Sequence, residues 1–439
     1  MSTLPETSHD AASAAFPPPC GEGRPRSERG GGLRIGAADC LFVVALGLFA
    51  IGGLLTLLYV PFPTAYDELQ HLSFIHALRD APALFPHYGA YRVLRPDLAG
   101  WTDAFNYIAH PPLYYLLLAP FGDNITVLRA INLAMALAGF ALCAHAGLKL
   151  LGTTGQRIAF LALLLVFSKP ALIAGMVNND NLVLLETGVL FQLLARAIPS
   201  CHAREGGHPD SIVESRVRGN DSRYEGTGLA NVIAIAAVLA LTGWTKFNAF
   251  VGLTLWVGLL HLATVLRRNE RAFGRASFVL LAGVAIGALP ALINLATIGS
   301  VAYVPVDFLF VEPSARQSYD FPQFVAAFFG KIGQKIFFMD GVIDLMPAAI
   351  LMILLGPFAA FAAAARRTRD IAVAAWAAAL LFATVHVFYG WNSFRMLGSM
   401  SDAQSRYYAM LWPGLSLAAV LGAAAIADRL KRPARARTS

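Results

Sequence analysis

About ten stretches of this chain are apolar for long enough to cross a lipid bilayer, and that repetition limits the fold more than any single motif does. A helix rises about 1.5 Å per residue, so roughly 20 apolar residues span the hydrocarbon core. Runs near that length lie at 40–60, 125–148, 157–176, 181–197, 229–244, 249–266, 277–298, 346–365, 371–390 and 407–427. Inside lipid each backbone amide and carbonyl needs a partner within the segment, which helices provide. The pattern predicts an all-α polytopic membrane protein with about ten transmembrane helices. Composition agrees, with 57% hydrophobic and 14% charged residues, against roughly 45–50% and about 25% in soluble domains. A water-soluble globule is excluded.

The charges then orient the spans. The net charge of +7 does not point to nucleic acid, because the basic residues fall in short clusters between apolar runs, the distribution that keeps such loops in the cytoplasm. The run 111–121 is too short to cross and is read as a juxtamembrane helix in the first outer loop. With that choice Arg24 to Arg34, Lys149 and Arg157, Arg196, Arg267 to Arg275, Arg366 to Arg369 and Lys431 to Arg437 share one side. The predicted layout is a disordered cytoplasmic N-terminal tail over 1–37, a transmembrane domain over 38–428 and a basic cytoplasmic tail over 429–439. Within the membrane domain, 61–124 and 299–345 are extracytoplasmic loops, and 199–228 is a polar cytoplasmic insertion. The insertion is rich in Gly and Arg and has no period, so His202 and His208 are read as part of a solvated segment and not as metal ligands. Cys20, Cys40, Cys143 and Cys201 show no paired or metal-type spacing.

Most chemically capable residues fall in the outer loops. Tyr66-Asp67-Glu68-Leu69-Gln70-His71 follows the first span and puts His71 beside both acids on a helix. Such a cluster can supply a general base for a hydroxyl acceptor, hold a divalent metal, or simply sit solvated and cap the next helix. His110-Pro111-Pro112-Leu113-Tyr114-Tyr115 starts a helix at the membrane surface, since first-turn amides need no partner. Asn178-Asn179-Asp180 caps the helix that follows, with Asp180 as a second acid on the same side. Lys246 and Arg406, the latter followed by Tyr407 and Tyr408, are cations at the outer boundary, where the positive-inside preference disfavours them and a phosphate would welcome them.

Taken in order, Tyr-Asp-Glu-x-x-His, His-Pro-Pro-Leu-Tyr-Tyr, Asn-Asn-Asp and Gln-x-Arg-Tyr resemble membrane glycosyltransferases of the GT-C class. The likeness is to the protein mannosyltransferase and aminoarabinose transferase superfamily and to related bacterial membrane proteins, over roughly 38–428. That resemblance implies a GT-C-like fold in the bacterial inner membrane with both termini cytoplasmic, a polyprenyl-phosphate sugar donor, an extracytoplasmic acceptor and surrounding lipid. It further implies Asp67 as the base, Glu68 as its or the acceptor's orienter, Asp180 as a site organiser, His110 facing the carrier phosphate, Lys246 and Arg406 offsetting the phosphate charge, and His71 and Tyr407 as further substrate-binding groups. Some members bind a divalent metal and others do not, so no cofactor follows. The competing class is a transporter, flippase or polymerase of lipid-linked polysaccharide. Its sites lie at the bilayer midplane in repeated halves, whereas here the spans hold few ionisable groups, chiefly Lys169, Glu186, His145, His261 and His386, and no internal repeat is visible. A purely structural membrane partner would leave the outer acids without purpose.

Overall fold

The structure is a computed structural model that describes residues 36–63, 67–86, 91–106, 110–167, 169–196, 221–268, 274–299, 318–334, 346–398, 400 and 403–431. Tyr66, the N-terminal tail, His202 and His208 with most of the insertion, Lys431's successors, and 300–317 and 335–345 of the second large loop lie outside them.

The helices are α1 (Ala37–Tyr59), α2 (Glu68–Asp80), α3 (Leu113–Leu118), α4 (Ile125–Leu150), α5 (Thr154–Val166), α6 (Lys169–Ala174) and α7 (Asp180–Arg196). They continue as α8 (Asp221–Thr245), α9 (Phe247–Arg268), α10 (Arg275–Ile298), α11 (Phe321–Gln334), α12 (Met346–Leu355), α13 (Arg366–Leu397) and α14 (Trp412–Lys431). Among the described residues seven of these, α1, α4, α8, α9, α10, α13 and α14, are long and apolar enough to cross a membrane. The other three expected spans are built from shorter pieces. α5 and α6 are separate helices of 13 and six residues, with Pro170 in the first turn of the second. α7 has 17 residues, a rise of about 26 Å and slightly less than the hydrocarbon core. α12 gives way after ten residues to a 3₁₀ turn, Gly356–Phe361, whose Pro357 withholds a helical amide.

The outward faces confirm the solvent. Val43, Val44, Leu48, Ile51, Leu55 and Leu58 of α1 are exposed, as are Phe278, Leu281, Ile286, Leu289, Leu292 and Leu295 of α10. Such continuous apolar surfaces are at home only in lipid. Inward, α4 and α7 cross at their glycines. A Cβ added at Gly188 would stand 2.5 Å from the Gly139 carbonyl oxygen, and one at Gly139 would stand 2.6 Å from the Leu184 backbone. Small residues let the two backbones meet, which is how helices associate tightly where lipid offers no hydrophobic drive.

The described part of segment 61–124 is folded against the helices. α2 carries Leu72, Phe74, Ile75 and Leu78 fully buried against Tyr114, Tyr115 and Leu118 of α3 and Leu128 of α4. A small antiparallel ribbon, β1 (Arg92–Leu94) with β2 (Trp101–Phe105), closes over α2, where Ser73 Oγ accepts the Leu94 amide at 2.9 Å. The stretch 111–121 is indeed short: α3 followed by a 3₁₀ turn, Ala119–Phe121. In the second large loop α11 packs Phe324 and Phe328 into an aromatic cluster with Trp391 and Phe394 of α13. Asp320 and Gln323 exchange side-chain and backbone hydrogen bonds at its start, so Asp320 is a helix cap.

Candidate functional site

Four charged residues from four separate segments meet where these helices end. Asp67 stands just before α2 in a left-handed conformation (φ 61°), and its side chain makes no capping bond to α2. The carboxylate accepts instead from Arg406 Nη2 at 2.9 Å. Arg406 lies in the 3₁₀ turn Ser405–Tyr408, just ahead of α14, and its Nε is 3.9 Å from Asp180 Oδ2. Asp180, the first residue of α7, takes Lys246 Nζ on its other oxygen at 2.5 Å. Lys246 is the single residue between α8 and α9. The result is an open chain of alternating charge, Asp67, Arg406, Asp180, Lys246. The Tyr407 ring lies 5.5 Å from Lys246 Nζ and 6.0 Å from the Arg406 guanidinium carbon.

Two atoms in this chain are not hydrogen-bonded among the described residues: Asp180 Oδ2 and Arg406 Nε, the pair that faces across 3.9 Å. Buried polar atoms without partners cost free energy, so the centre of the arrangement is its least satisfied part. An apolar pocket lined by Pro170, Ile173, Leu184 and Ala409 reaches Asp180 and Arg406 from the bundle side.

The histidines stand behind the cations. His71 and His110 stack with ring centres 5.9 Å apart, and His71 Nδ1 is 2.9 Å from the Tyr115 hydroxyl. Burial, with Lys246 and Arg406 adding to it, holds the His71 imidazole well below its usual pKa. His110 is depressed in the same direction by burial and then by Lys246, His71 and Arg406, against a smaller opposite pull from Asp67. Both rings are neutral near pH 7.

Glu68, expected from the resemblance to orient the acceptor or the base, is fully buried and bonded: Arg129 Nε donates to Oε1 at 2.8 Å, Arg129 Nη2 to Oε2 at 2.6 Å, and the Val177 amide to Oε1 at 3.0 Å. Arg129 also donates to the Val60 carbonyl at 2.9 Å. Glu68 is thus a joint linking the end of α1, the start of α2, α4 and the segment before α7. Sequence reasoning missed Arg129, and the signal was a lone cation within an apolar run.

The Asn-Asn-Asp turn is likewise built in. Asn178 Oδ1 accepts the Asp180 amide at 2.9 Å, as expected of a cap. Asn181 donates to Asn132 Oδ1 at 2.9 Å, and Tyr114 donates to the same oxygen at 2.8 Å. His76 reaches the Gly122 carbonyl at 3.0 Å, and Arg79 pairs with Asp80 and Asp123, so both tie α2 to the α3–α4 connection. Among the described residues no group of three or more His, Cys, Asp and Glu is arranged to hold a metal ion.

No family model and no curated protein matches the chain. Two solved structures are similar to it. The apo crystal structure of ArnT from Cupriavidus metallidurans shares 15% identity at a TM-score of 0.37, over 89% of this chain and 78% of that one. The crystal structure of the same protein bound to undecaprenyl phosphate shares 14% identity at a TM-score of 0.37, over 90% and 79%.

Proposed function

We propose that the protein is an integral membrane glycosyltransferase of the GT-C class that moves a sugar from a polyprenyl-phosphate donor to an extracytoplasmic acceptor. The observation that carries this reading is the chain of charges in which Asp67, Arg406, Asp180 and Lys246 alternate with a gap of 3.9 Å at its centre. Two cations in one cluster, of which Arg406 lines an apolar pocket, suit the phosphate of a lipid carrier, and a carboxylate beside them suits the proton of an attacking hydroxyl.

In this reading the acceptor oxygen forms a bond to the sugar's anomeric carbon as that carbon's bond to the phosphate oxygen breaks. The acceptor's proton passes to Asp67. The electron pair leaves with the phosphate, whose growing charge is met by Lys246 and Arg406, fixed cations that need no reorganisation at that moment. Before the donor arrives Arg406 is held by Asp67. A phosphate that takes over the guanidinium releases the carboxylate as a base, so donor binding precedes activation of the acceptor. Glu68 positions Asp67 through the Arg129 joint, and the neutral imidazoles of His71 and His110 border the sugar or the phosphate as hydrogen-bonding groups.

The cluster faces the extracytoplasmic side of the bacterial cytoplasmic membrane, with both termini inside. Support comes from the other ends of the same helices: α7 closes on Arg196, and the basic end of α9 is tied to that of α13 by an Arg267–Asp370 ion pair. The acceptor is a lipid, a glycan or a protein. The test is transfer from radiolabelled polyprenyl-phosphate hexoses and pentoses by membranes holding the wild-type chain or Asp67→Asn at matched expression. Transfer that falls by about a hundredfold or more, the scale of a lost general base, supports the reading. No transfer from any donor, with lipid-linked sugar movement that persists in Asp67→Asn, replaces it with a transporter.

A further inference from the structure

Glu186 is a buried acid inside α7 that the proposed chemistry does not use. It is 6% exposed, six residues beyond Asp180, and so about 9 Å further along the helix. A carboxyl group at this depth is costly and is kept where it has work to do. Its Oε1 accepts from the Thr245 hydroxyl at 2.6 Å, and its Oε2 has no hydrogen-bond partner among the described residues.

Thr245 immediately precedes Lys246. Its hydroxyl is also 3.0 Å from the Leu241 carbonyl one turn back, the default partner of a helical threonine, and the shorter contact is the one to Glu186. Its carbonyl accepts from Asn179 Nδ2 at 3.2 Å, and Asn179 is the residue before Asp180. α7 and the residue before it therefore hold the α8–α9 junction at three points: Asn179 on the Thr245 carbonyl, Glu186 on the Thr245 hydroxyl, and Asp180 on Lys246 itself. The first two orient Thr245, the residue directly before the one that carries the third.

We infer that Glu186 is a positioning residue for Lys246: by drawing the Thr245 hydroxyl across to α7 it sets the α8–α9 junction so that the Lys246 ammonium stays on Asp180. The role requires an acceptor oxygen at Glu186 and a hydroxyl at 245. It does not require a charge. This rests on the phosphate-facing role proposed for Lys246 only for its consequence in catalysis, since the contact geometry stands without it.

The test reads Lys246 directly. Purified full-length protein in detergent is treated with a small amine-reactive reagent at fixed pH, and Lys246 modification is followed by mass spectrometry. Glu186→Leu and Thr245→Val are expected to speed labelling on the order of tenfold, the change given by one hydrogen bond of ordinary strength. Glu186→Gln and Thr245→Ser, which keep the acceptor and the hydroxyl, are expected to label at the wild-type rate, and the Glu186→Leu/Thr245→Val double variant no faster than either single. Thermal unfolding of each variant separates local release from general loosening, and Thr245→Val against Thr245→Ser decides the matter if Glu186→Leu does not fold. Equal rates in all variants, or Glu186→Gln behaving as Glu186→Leu, overturn the inference. Undecaprenyl monophosphate added in micelles separates the two proposals: failure to protect wild-type Lys246, with the contrast between variants intact, removes the phosphate role and leaves the positioning role standing.

Discussion

Asp67 and Glu68 are neighbours with the same functional group, and the structure uses them in opposite ways. Glu68 is fully buried and saturated, with two bonds from one planar guanidinium and a third from a backbone amide. Asp67 is partly open, accepts from Arg406 at 2.9 Å, and belongs to a chain whose central atoms, Asp180 Oδ2 and Arg406 Nε, have no hydrogen bond among the described residues. The first arrangement has nothing left to give, and exchanging any partner leaves a buried charge alone. The second leaves Asp180 Oδ2 and Arg406 Nε facing each other without a hydrogen bond among the described residues.

The sharpest way to break that contrast is to remove a cation from the closed pair. Arg129→Ala strands Glu68 and is expected to cost about 3–5 kcal/mol, read as loss of folded protein in thermal unfolding and size-exclusion profiles. The same treatment at the open pair separates function from folding. Arg406→Lys keeps a charge but loses the planar fork, so donor KM is expected to rise on the order of tenfold with unfolding temperature nearly unchanged, whereas Arg129→Lys should lower the unfolding temperature as well. A smaller effect comes from acid. His71 and His110 have depressed pKa values in the folded chain, so the unfolded chain binds protons first and stability falls as pH drops below the unfolded value of about 6.5. Protonation would add charge next to Lys246, Arg406 and, for His110, Asp67 and the other imidazole. Unfolding temperatures measured from pH 7.5 to 5 should decline, and His71→Gln with His110→Gln should flatten the decline. The smallest effect is expected at the exposed Arg79–Asp123 pair, where Asp123→Asn should change stability by less than about 1 kcal/mol.

What the sequence made legible was whatever carried charge at a helix boundary. Asp67, Asp180, Lys246 and Arg406 stood out because a charge at the end of an apolar run has few neutral explanations, and the structure brings these four together. Arg129 was hidden for the converse reason: it lies within an apolar run, and its partner is 61 residues away with no local pattern to announce it. The breaks that divide α5 from α6 and end α12 were also missed, because hydropathy averages over Pro170 and Pro357 and cannot see a lost amide. The β1–β2 ribbon, with strands of three and five residues, is too short for alternation to register.

The amide of Val177 resting on Glu68 has a mechanical consequence. Asp67 lies one residue before that rivet on one strand of chain and Asp180 three residues after it on the other. The two carboxylates are therefore mounted on one jaw, while Lys246 and Arg406 ride on separate turns between other helices. The distance between the two carboxylates is therefore set by a buried carboxylate–amide contact and not by the cations that lie between them.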